Sequence, residues 1–280
     1  MKPEHVDIVA ALVKRTSGLI LSREKSYLVE SRLIPLARQW DETTPDDLVA
    51  LYAAKKDAKL EKAITEAMTT NESFFFRDKT PFDQFRSLIL PYLIENRQAR
   101  KTINIWCAAC SSGQEPYSLA MILREEAARL QGWRVKILAT DISEEVLGQC
   151  REGVYNQFEV QRGLPVQMLV KYFNQEGEKW RIDPSLRELI DFRYFNLLDA
   201  NYGLVKFDVV FCRNVLIYFD RETKGAVLSK ISKNLADDGK LFLGGAETVM
   251  GVTKDFEPVS GQRGIYAKSG VAAEHLAKTA

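Results

Sequence analysis

The side chains best placed for chemistry stand where apolar stretches end. Ile103-Asn104-Ile105-Trp106-Cys107 reads as a strand running into a loop of small residues, Ala108-Ala109-Cys110-Ser111-Ser112-Gly113. Gln114-Glu115-Pro116 can then open a helix through Met121 and Leu130. Small residues let a backbone approach a bound molecule, and the unpaired N–H groups of a helix start favour negative partial charge. Such a turn suits a nucleotide-type pocket at the carboxyl end of a strand. An ordinary strand-to-helix turn of an α/β protein would read the same way. A second strand, Val135 to Thr140, closes on Asp141. A carboxylate there can accept two hydrogen bonds from a diol, as dinucleotide-type folds hold a ribose. Asp141 to Ser143 also suits a helix N-cap.

Other chemistries find less support. Cys107-Ala-Ala-Cys110 has a Cys-x-x-Cys spacing, but no second pair exists and the two histidines are His5 and His275, so a closed zinc site lacks ligands and no metal is expected. In a thioredoxin-like motif the cysteines open a helix directly, whereas here five residues precede Pro116. The cysteines, with Cys150 and Cys212, read as small buried residues. The run Phe74-Phe75-Phe76 cannot face one core from a helix or a strand, so at least one ring is free to pack on an interface or a ligand.

The elements that must position these groups belong to a globular chain. Its 280 residues, 46% of them hydrophobic, suffice for a real core in one large domain or two smaller ones. A net charge of +1 argues for neither a nucleic-acid polycation nor an acidic disordered chain. No apolar run approaches the about 20 residues of a membrane span, and Met1-Lys2-Pro3-Glu4 does not open a signal peptide, so a cytoplasmic location is expected.

Residues 1–70 read as a small helical domain. Val6, Val9, Ala10 and Val13 form one stripe that Ser17-Gly18 ends; Val29, Leu33, Leu36 and Trp40 form a second, which Pro35 should kink or split. Thr44-Pro45-Asp46-Asp47 starts a third helix, and Leu60, Ile64 and Met68 mark a fourth. Seven Lys or Arg against four acids occupy the first 40 residues. Lys25 and Arg32, seven apart, would share a helical face able to meet an acidic partner or simply water. Residues 71–102 read as a linker and a connecting helix after Pro81. Residues 103–268 carry the strand and helix rhythm: Ile190 to Phe195, Phe207 to Phe211 and Gly239 to Gly244 as strands, a helix from Arg221 to Leu235, and a closing antiparallel pair, Phe256 to Val259 with Gly264 to Lys268. Residues 153–183 interrupt that rhythm as a β insert with a hairpin around Glu176-Gly177, and 269–280 read as a loose tail.

Five separated motifs then agree with one family. Asn71-x-Ser73-x-x-x-Arg77, Cys110-Ser-Ser-Gly-Gln-Glu-Pro-Tyr-Ser118, Ala139-Thr-Asp141-Ile, Phe195-Asn196-Leu197 and Phe211-Cys-Arg-Asn-Val-Leu-Ile-Tyr-Phe219 together resemble the bacterial chemotaxis receptor methyltransferases of the CheR type, over about residues 1–268. The resemblance implies an α/β fold: a Rossmann-like S-adenosylmethionine-dependent methyltransferase sheet with a small N-terminal all-helical domain and a β insert. It implies S-adenosylmethionine as cofactor, with S-adenosylhomocysteine as product. The implied reaction methylates glutamate side chains on the cytoplasmic helices of a chemoreceptor, a methyl-accepting chemotaxis protein. Such an enzyme would be a monomer that meets the membrane through its receptor and binds no nucleic acid.

Carried over position by position, the resemblance places Asn71, Ser73 and Arg77 on the cofactor from the linker, and Glu115, Asp141, Asn196, Leu197, Arg213 and Asn214 from the sheet. Ser73 stands where threonine is common in the family, and Gln114 where many members have a second glutamate. Glu115 and the Phe74 to Phe76 faces are suitable company for a cationic sulfur. Asn196 can offer a donor and an acceptor to an adenine edge, or serve as a turn residue. Tyr218 and Arg213 are the candidates for orienting the substrate carboxylate, although Tyr218 also reads as a core tyrosine. Two alternatives remain: an amino-group or nucleic-acid methyltransferase on the same fold, and a non-catalytic S-adenosylmethionine-binding module. The first commonly shows Asn/Asp-Pro-Pro-Tyr/Phe after the fourth strand, where this chain has Asn214-Val-Leu-Ile-Tyr218. The second would be expected to lose pocket residues, yet every matched position is filled.

Overall fold

The computed structural model describes residues 1–200, 203 and 205–270, so most of the expected tail, with His275, lies outside the described residues. The chain divides into two compact units. The first comprises Met1–Thr70 together with two later returns of the chain, Asn196–Leu198 and Tyr218–Lys224.

Four helices build the first unit. Helix α1 (Pro3–Ser17) starts on Pro3 and stops where Gly18, at φ +77°, donates its N–H back to the Lys14 carbonyl. A short 3₁₀ turn (Arg23–Lys25) leads into α2 (Ser26–Gln39), which runs on through Pro35 without being split. Helix α3 (Pro45–Lys55) opens with a capping box between Thr44 and Asp47, and α4 (Ala58–Met68) is capped by Asp57. Val9, Leu12, Val29, Leu33, Leu48, Leu60 and Ile64 bury their side chains in one core. The later returns join it by an isolated bridge between Leu19 and Phe219 and by a 2.9 Å bond from the Ile20 N–H to the Tyr218 carbonyl.

Arg32 departs from the expected basic face. Its guanidinium donates to the Met68 carbonyl at 2.6 Å and to the Thr70 hydroxyl at 2.9 Å, capping the carboxyl end of α4. Lys25 remains exposed. The exposed stripe of α2 is instead Tyr27, Ser31, Ile34 and Arg38.

The second unit begins with a helix in three segments: α5 (Thr80–Gln84), a π turn (Phe85–Ile89) and α6 (Leu90–Asn96). Strand β1 (Thr102–Ala108) follows, then α7 (Gln114–Glu125), which ends short of Leu130, then β2 (Arg134–Asp141) and α8 (Glu144–Glu152). The insert contains more than a hairpin: β3 (Val154–Asn156), α9 (Gln157–Gln161), α10 (Val166–Tyr172), β4 (Phe173–Glu176) and β5 (Lys179–Ile182). Its strands pair antiparallel in the order β3-β5-β4. After α11 (Pro184–Arg187) come β6 (Ile190–Tyr194), β7 (Phe207–Cys212), α12 (Arg221–Asn234), β8 (Leu235–Leu243), β9 (Phe256–Pro258) and β10 (Ile265–Lys268).

Seven strands form one sheet in the order β6-β2-β1-β7-β8-β10-β9. The first five are parallel, and β10 is antiparallel to both β8 and β9. Strands buried on both faces read as continuous apolar runs, which is why Phe207-Asp-Val-Val-Phe-Cys212 is wholly buried. Phe211 and Phe242 stack at 4.4 Å across β7 and β8. Strand order reverses between β1 and β7, so the crevice beyond their carboxyl ends is the place where such a sheet binds ligands. Among the described residues no helix is long and apolar enough to cross a membrane.

Candidate cofactor site

The loop after β1 turns tightly because left-handed residues recur along it: Ala109 (φ 64°), Ser111 (φ 51°) and Gly113 (φ 93°). Its Cys110 N–H donates to the Thr140 carbonyl at 2.8 Å, tying the loop to the end of β2. Gly113 is needed for packing as well as for its φ, since a Cβ there would lie 2.9 Å from the Cys150 sulfur and 3.1 Å from the Tyr155 hydroxyl. The Tyr155 phenol, from the insert, donates to the Ser112 carbonyl at 2.8 Å. Nothing in the residue type of Tyr155 signals this brace.

Asp141 is buried at the tip of β2, where its two oxygens accept the Ser111 N–H at 2.9 Å and the Ser143 N–H at 3.0 Å. Ser143 is the N-cap of α8. The Ile142 N–H also bonds this carboxylate, so three main-chain donors hold it and an acceptor site is left for a ligand hydroxyl. Burial pushes the Asp141 carboxyl up from its ordinary value, and the Ser143 and Ser111 N–H groups pull it back.

The linker Asn71 to Asp78 is pinned to this loop and to α7 at three points. Ser111 donates its hydroxyl to the Asn71 carbonyl at 2.8 Å, the Phe76 N–H donates to the Ser118 hydroxyl at 2.9 Å, and Arg213 donates to the Arg77 carbonyl at 2.7 Å. The three aromatic rings separate as their backbone requires. Phe75 is buried edge-on to Tyr155 and Phe173 of the insert, and Phe76 meets Phe82 at 5.4 Å. Phe74 carries the Arg162 guanidinium at 4.4 Å and that of Arg77 at 5.5 Å from its ring centre. Arg162 also pairs with Glu72 at 2.8 Å, and a Cβ on Gly163 would fall 2.1 Å from the Phe75 carbonyl oxygen. Ser73 is half-buried within this stretch.

Arg213, immediately after β7, lies in the centre of the charged groups. One Nη donates to Glu115 at 2.8 Å, and the other reaches Asp78 at 2.8 Å as well as the Arg77 carbonyl. Its side chain is 1% exposed, and its Nε has no hydrogen-bond partner among the described residues. The expectation that Arg213 orients a substrate carboxylate therefore changes: the fork is spent on two protein carboxylates and a carbonyl, which holds Glu115 and the linker together. Burial pushes the Glu115 carboxyl up, while the Arg213 charge and hydrogen bond pull it down and the charge of Glu247 pushes it up again.

The structure thus brings Asn71, Ser73, Arg77, Glu115, Asp141, Arg213 and Asn214 into the larger unit, linked through Ser111 and Arg213. Asn196, Leu197 and Tyr218 belong to the helical unit. There the Asn196 amide donates to the Thr16 carbonyl at 2.7 Å and its oxygen accepts the Leu198 N–H at 2.9 Å, the geometry of an Asx turn. Tyr218 packs, partly buried, against the helical core.

A ligand with both a cationic centre and an acceptor group suits this arrangement. Two carboxylates are buried at the switch point, and one buried arginine nitrogen awaits an acceptor. Burial also pushes the thiols of Cys107, Cys110 and Cys212 up, so they remain protonated and unreactive at neutral pH.

Comparison with known proteins agrees with this chemistry. The family model described as CheR methyltransferase, SAM binding domain, matches residues 71–265. A chemotaxis protein methyltransferase, Cher2, of Pseudomonas putida is 38% identical over 90% of this chain and 93% of its own length. A chemotaxis protein methyltransferase of Vibrio parahaemolyticus is 40% identical over 90% of this chain and 91% of its own. Among solved structures, PKMT2 from Rickettsia typhi in complex with AdoHcy is a distant likeness, with a TM-score of 0.38 at 13% identity, covering 62% of this chain and 26% of that one. The chain belongs to the CheR family of chemotaxis methyltransferases, and S-adenosylmethionine is its cofactor.

Proposed function

We propose that this methyltransferase esterifies glutamate side chains on the cytoplasmic helices of a chemoreceptor, in the cytoplasm. The observation that carries the reading is the match along nine-tenths of the chain to proteins named chemotaxis protein methyltransferase. The site chemistry supports it. A glutamate has an ordinary pKa of about 4.3, so at neutral pH it is already an anionic nucleophile and methyl transfer needs no base. That suits a site whose thiols stay protonated and whose sequence places its two histidines at positions 5 and 275. S-adenosylmethionine supplies a methyl group on a cationic sulfur.

The chain's own residues then hold and align. Glu115, kept in place by Arg213, lends negative charge to the sulfonium side, and Asp141 takes the ribose diol. Asn71, Ser73, Arg77 and Asn214 complete the cofactor contacts. Alignment and exclusion of water are the main sources of rate, and such effects reach several kcal/mol. The receptor would meet the helical unit, where Lys25 and Arg38 are exposed along with Tyr27 and Ile34, a mixed basic and apolar surface suited to an acidic amphipathic helix.

The product tests the reading. Labelled cofactor incubated with receptor-bearing membranes should give a label that mild alkali releases as methanol, and the rate should change little between pH 8 and pH 6. Alkali-stable label, with a rate rising steeply across neutral pH, would point to an amine acceptor instead.

Cofactor affinity should also depend on pH through Glu115. Its folded-state carboxyl lies above the ordinary glutamate value, so its ionisation costs stability as pH rises through the folded value, and a bound cation offsets that cost. Acidification from neutral pH protonates Glu115 and weakens both ligands, and S-adenosylmethionine, with one positive charge more than S-adenosylhomocysteine, should lose more. Parallel calorimetric titrations of the two would show the difference; identical pH profiles would remove Glu115 from the sulfonium side.

A further inference from the structure

A carboxylate outside the recognised motifs has an unusual set of partners. Glu247 is 8% exposed and stands in the turn after β8. One of its oxygens accepts the N–H groups of Val215 at 3.0 Å, Leu216 at 2.7 Å and Ile217 at 3.3 Å. The other accepts those of Asn214 at 2.8 Å and Gly244 at 2.7 Å. Four consecutive amides of the turn after Arg213 therefore converge on one side chain.

Neighbouring features fit around that convergence. Asn214 has φ 59°, a left-handed conformation that needs outside support in a residue with a side chain. Gly244 makes room for the arrangement: a Cβ there would lie 2.8 Å from both the Asn214 side-chain nitrogen and a Glu247 oxygen, and 3.0 Å from the Asn214 main-chain nitrogen. The strands are in register at this point, with Cys212 beside Leu243, so the turn after β7 and the turn after β8 lie side by side. The Glu247 N–H returns to the Gly244 carbonyl at 2.9 Å, which closes its own turn and aims the carboxylate across.

We propose that Glu247 is a positioning residue of the cofactor site: its carboxylate, admitted by Gly244, holds Asn214 to Ile217 in the conformation that presents Asn214 to the cofactor. Burial of turn amides without an acceptor is costly, so no water-exposed alternative reproduces this shape. The carboxylate is matched to its task because both oxygens accept and neither donates. A glutamine in its place would turn an NH₂ group toward one set of the N–H donors.

The test uses the full chain, titrated calorimetrically with S-adenosylhomocysteine, with amide hydrogen exchange read at residues 214–217. Glu247→Gln should weaken binding about tenfold and speed exchange at those four amides, because charge-assisted bonds to buried donors are lost. Gly244→Ala keeps the charge of Glu247 but crowds its carboxylate, and should give the same pattern. Asn214→Ala combined with Glu247→Gln should bind no more weakly than Glu247→Gln by itself, since both changes then act through one group. Wild-type affinity in Glu247→Gln, unchanged exchange at 214–217, a silent Gly244→Ala, or fully additive losses in the double variant would each overturn the proposal. Circular dichroism checks that every variant is folded before it is titrated.

Discussion

Arg213→Ala is expected to destabilise the methyltransferase unit by about 3 to 5 kcal/mol at pH 8, the usual cost of leaving a buried charge without its partner. Arg213 is the cation in contact with Glu115 and also reaches Asp78 and the Arg77 carbonyl, with its side chain 1% exposed. Without it, burial pushes the Glu115 carboxyl further above the ordinary glutamate value. A group whose folded value is raised contributes stability below the unfolded value and loses it as pH rises through the folded one. The deficit of the variant should therefore shrink as pH falls through the raised folded value and Glu115 takes up a proton. Urea denaturation at several pH values reads this directly. Arg213→Lys should rescue little, because one ammonium cannot span the two carboxylates that the guanidinium fork bridges. A deficit that is independent of pH and fully restored by lysine would mean that Arg213 merely fills space.

The site was legible in the sequence to the extent that its geometry is local. A strand, a loop of small residues and a second strand in order place Ser111 of the loop against Asp141 because parallel neighbours β1 and β2 run in register, from Thr102 beside Arg134 to Ala108 beside Thr140. The switch point follows from the same rhythm. Groups brought together by the chain's longer returns were less visible. Glu247 lies 33 residues from Asn214 in sequence, within no recognised motif, and its value comes from the amides opposite it. Tyr155 and Gly163 lie in the insert and brace the loop and the linker, and neither residue type signals that role. The basic face of α2 was misjudged for a definite reason. Helical spacing tells which residues share a side, but the carbonyl end of α4 captures Arg32, and only the packed unit shows that. Pro35 was expected to kink or split α2, and the helix is not split there, since its buried stripe of Val29, Leu33 and Leu36 outweighs the lost hydrogen bond.

The linker shows how the two kinds of information combine. Asn71-x-Ser73-x-x-x-Arg77 was identified by resemblance, which says nothing of how a stretch without regular structure is held. The structure supplies the reason in three hydrogen bonds, from Ser111, to Ser118 and from Arg213, each to a main-chain group of the linker. The Arg77 guanidinium adds a bond within the linker itself, donating to the Glu72 carbonyl at 2.9 Å. The Phe74 ring, between Arg77 and Arg162, adds a contact by which the insert bears on Arg77.

Asp141→Ala should weaken S-adenosylmethionine and S-adenosylhomocysteine alike by tenfold or more, since each charge-assisted bond is worth about 1.5 to 3 kcal/mol. Two causes could produce that loss. The carboxylate accepts the Ser111 and Ser143 N–H groups, so its removal also unpairs buried amides and loosens the loop. Direct contact with the ribose diol is the other. A product analogue that lacks the ribose hydroxyls separates them. If Asp141 holds the diol, the native chain should bind the analogue at least tenfold more weakly than S-adenosylhomocysteine, and Asp141→Ala should bind the two with nearly equal affinity. Asp141→Asn should fall between, because an amide keeps one acceptor but turns its NH₂ toward one of the two backbone donors. Should Asp141→Ala discriminate between the two ligands as strongly as the native chain does, Asp141 would be left as a brace of the loop, and the ribose would have to be held elsewhere.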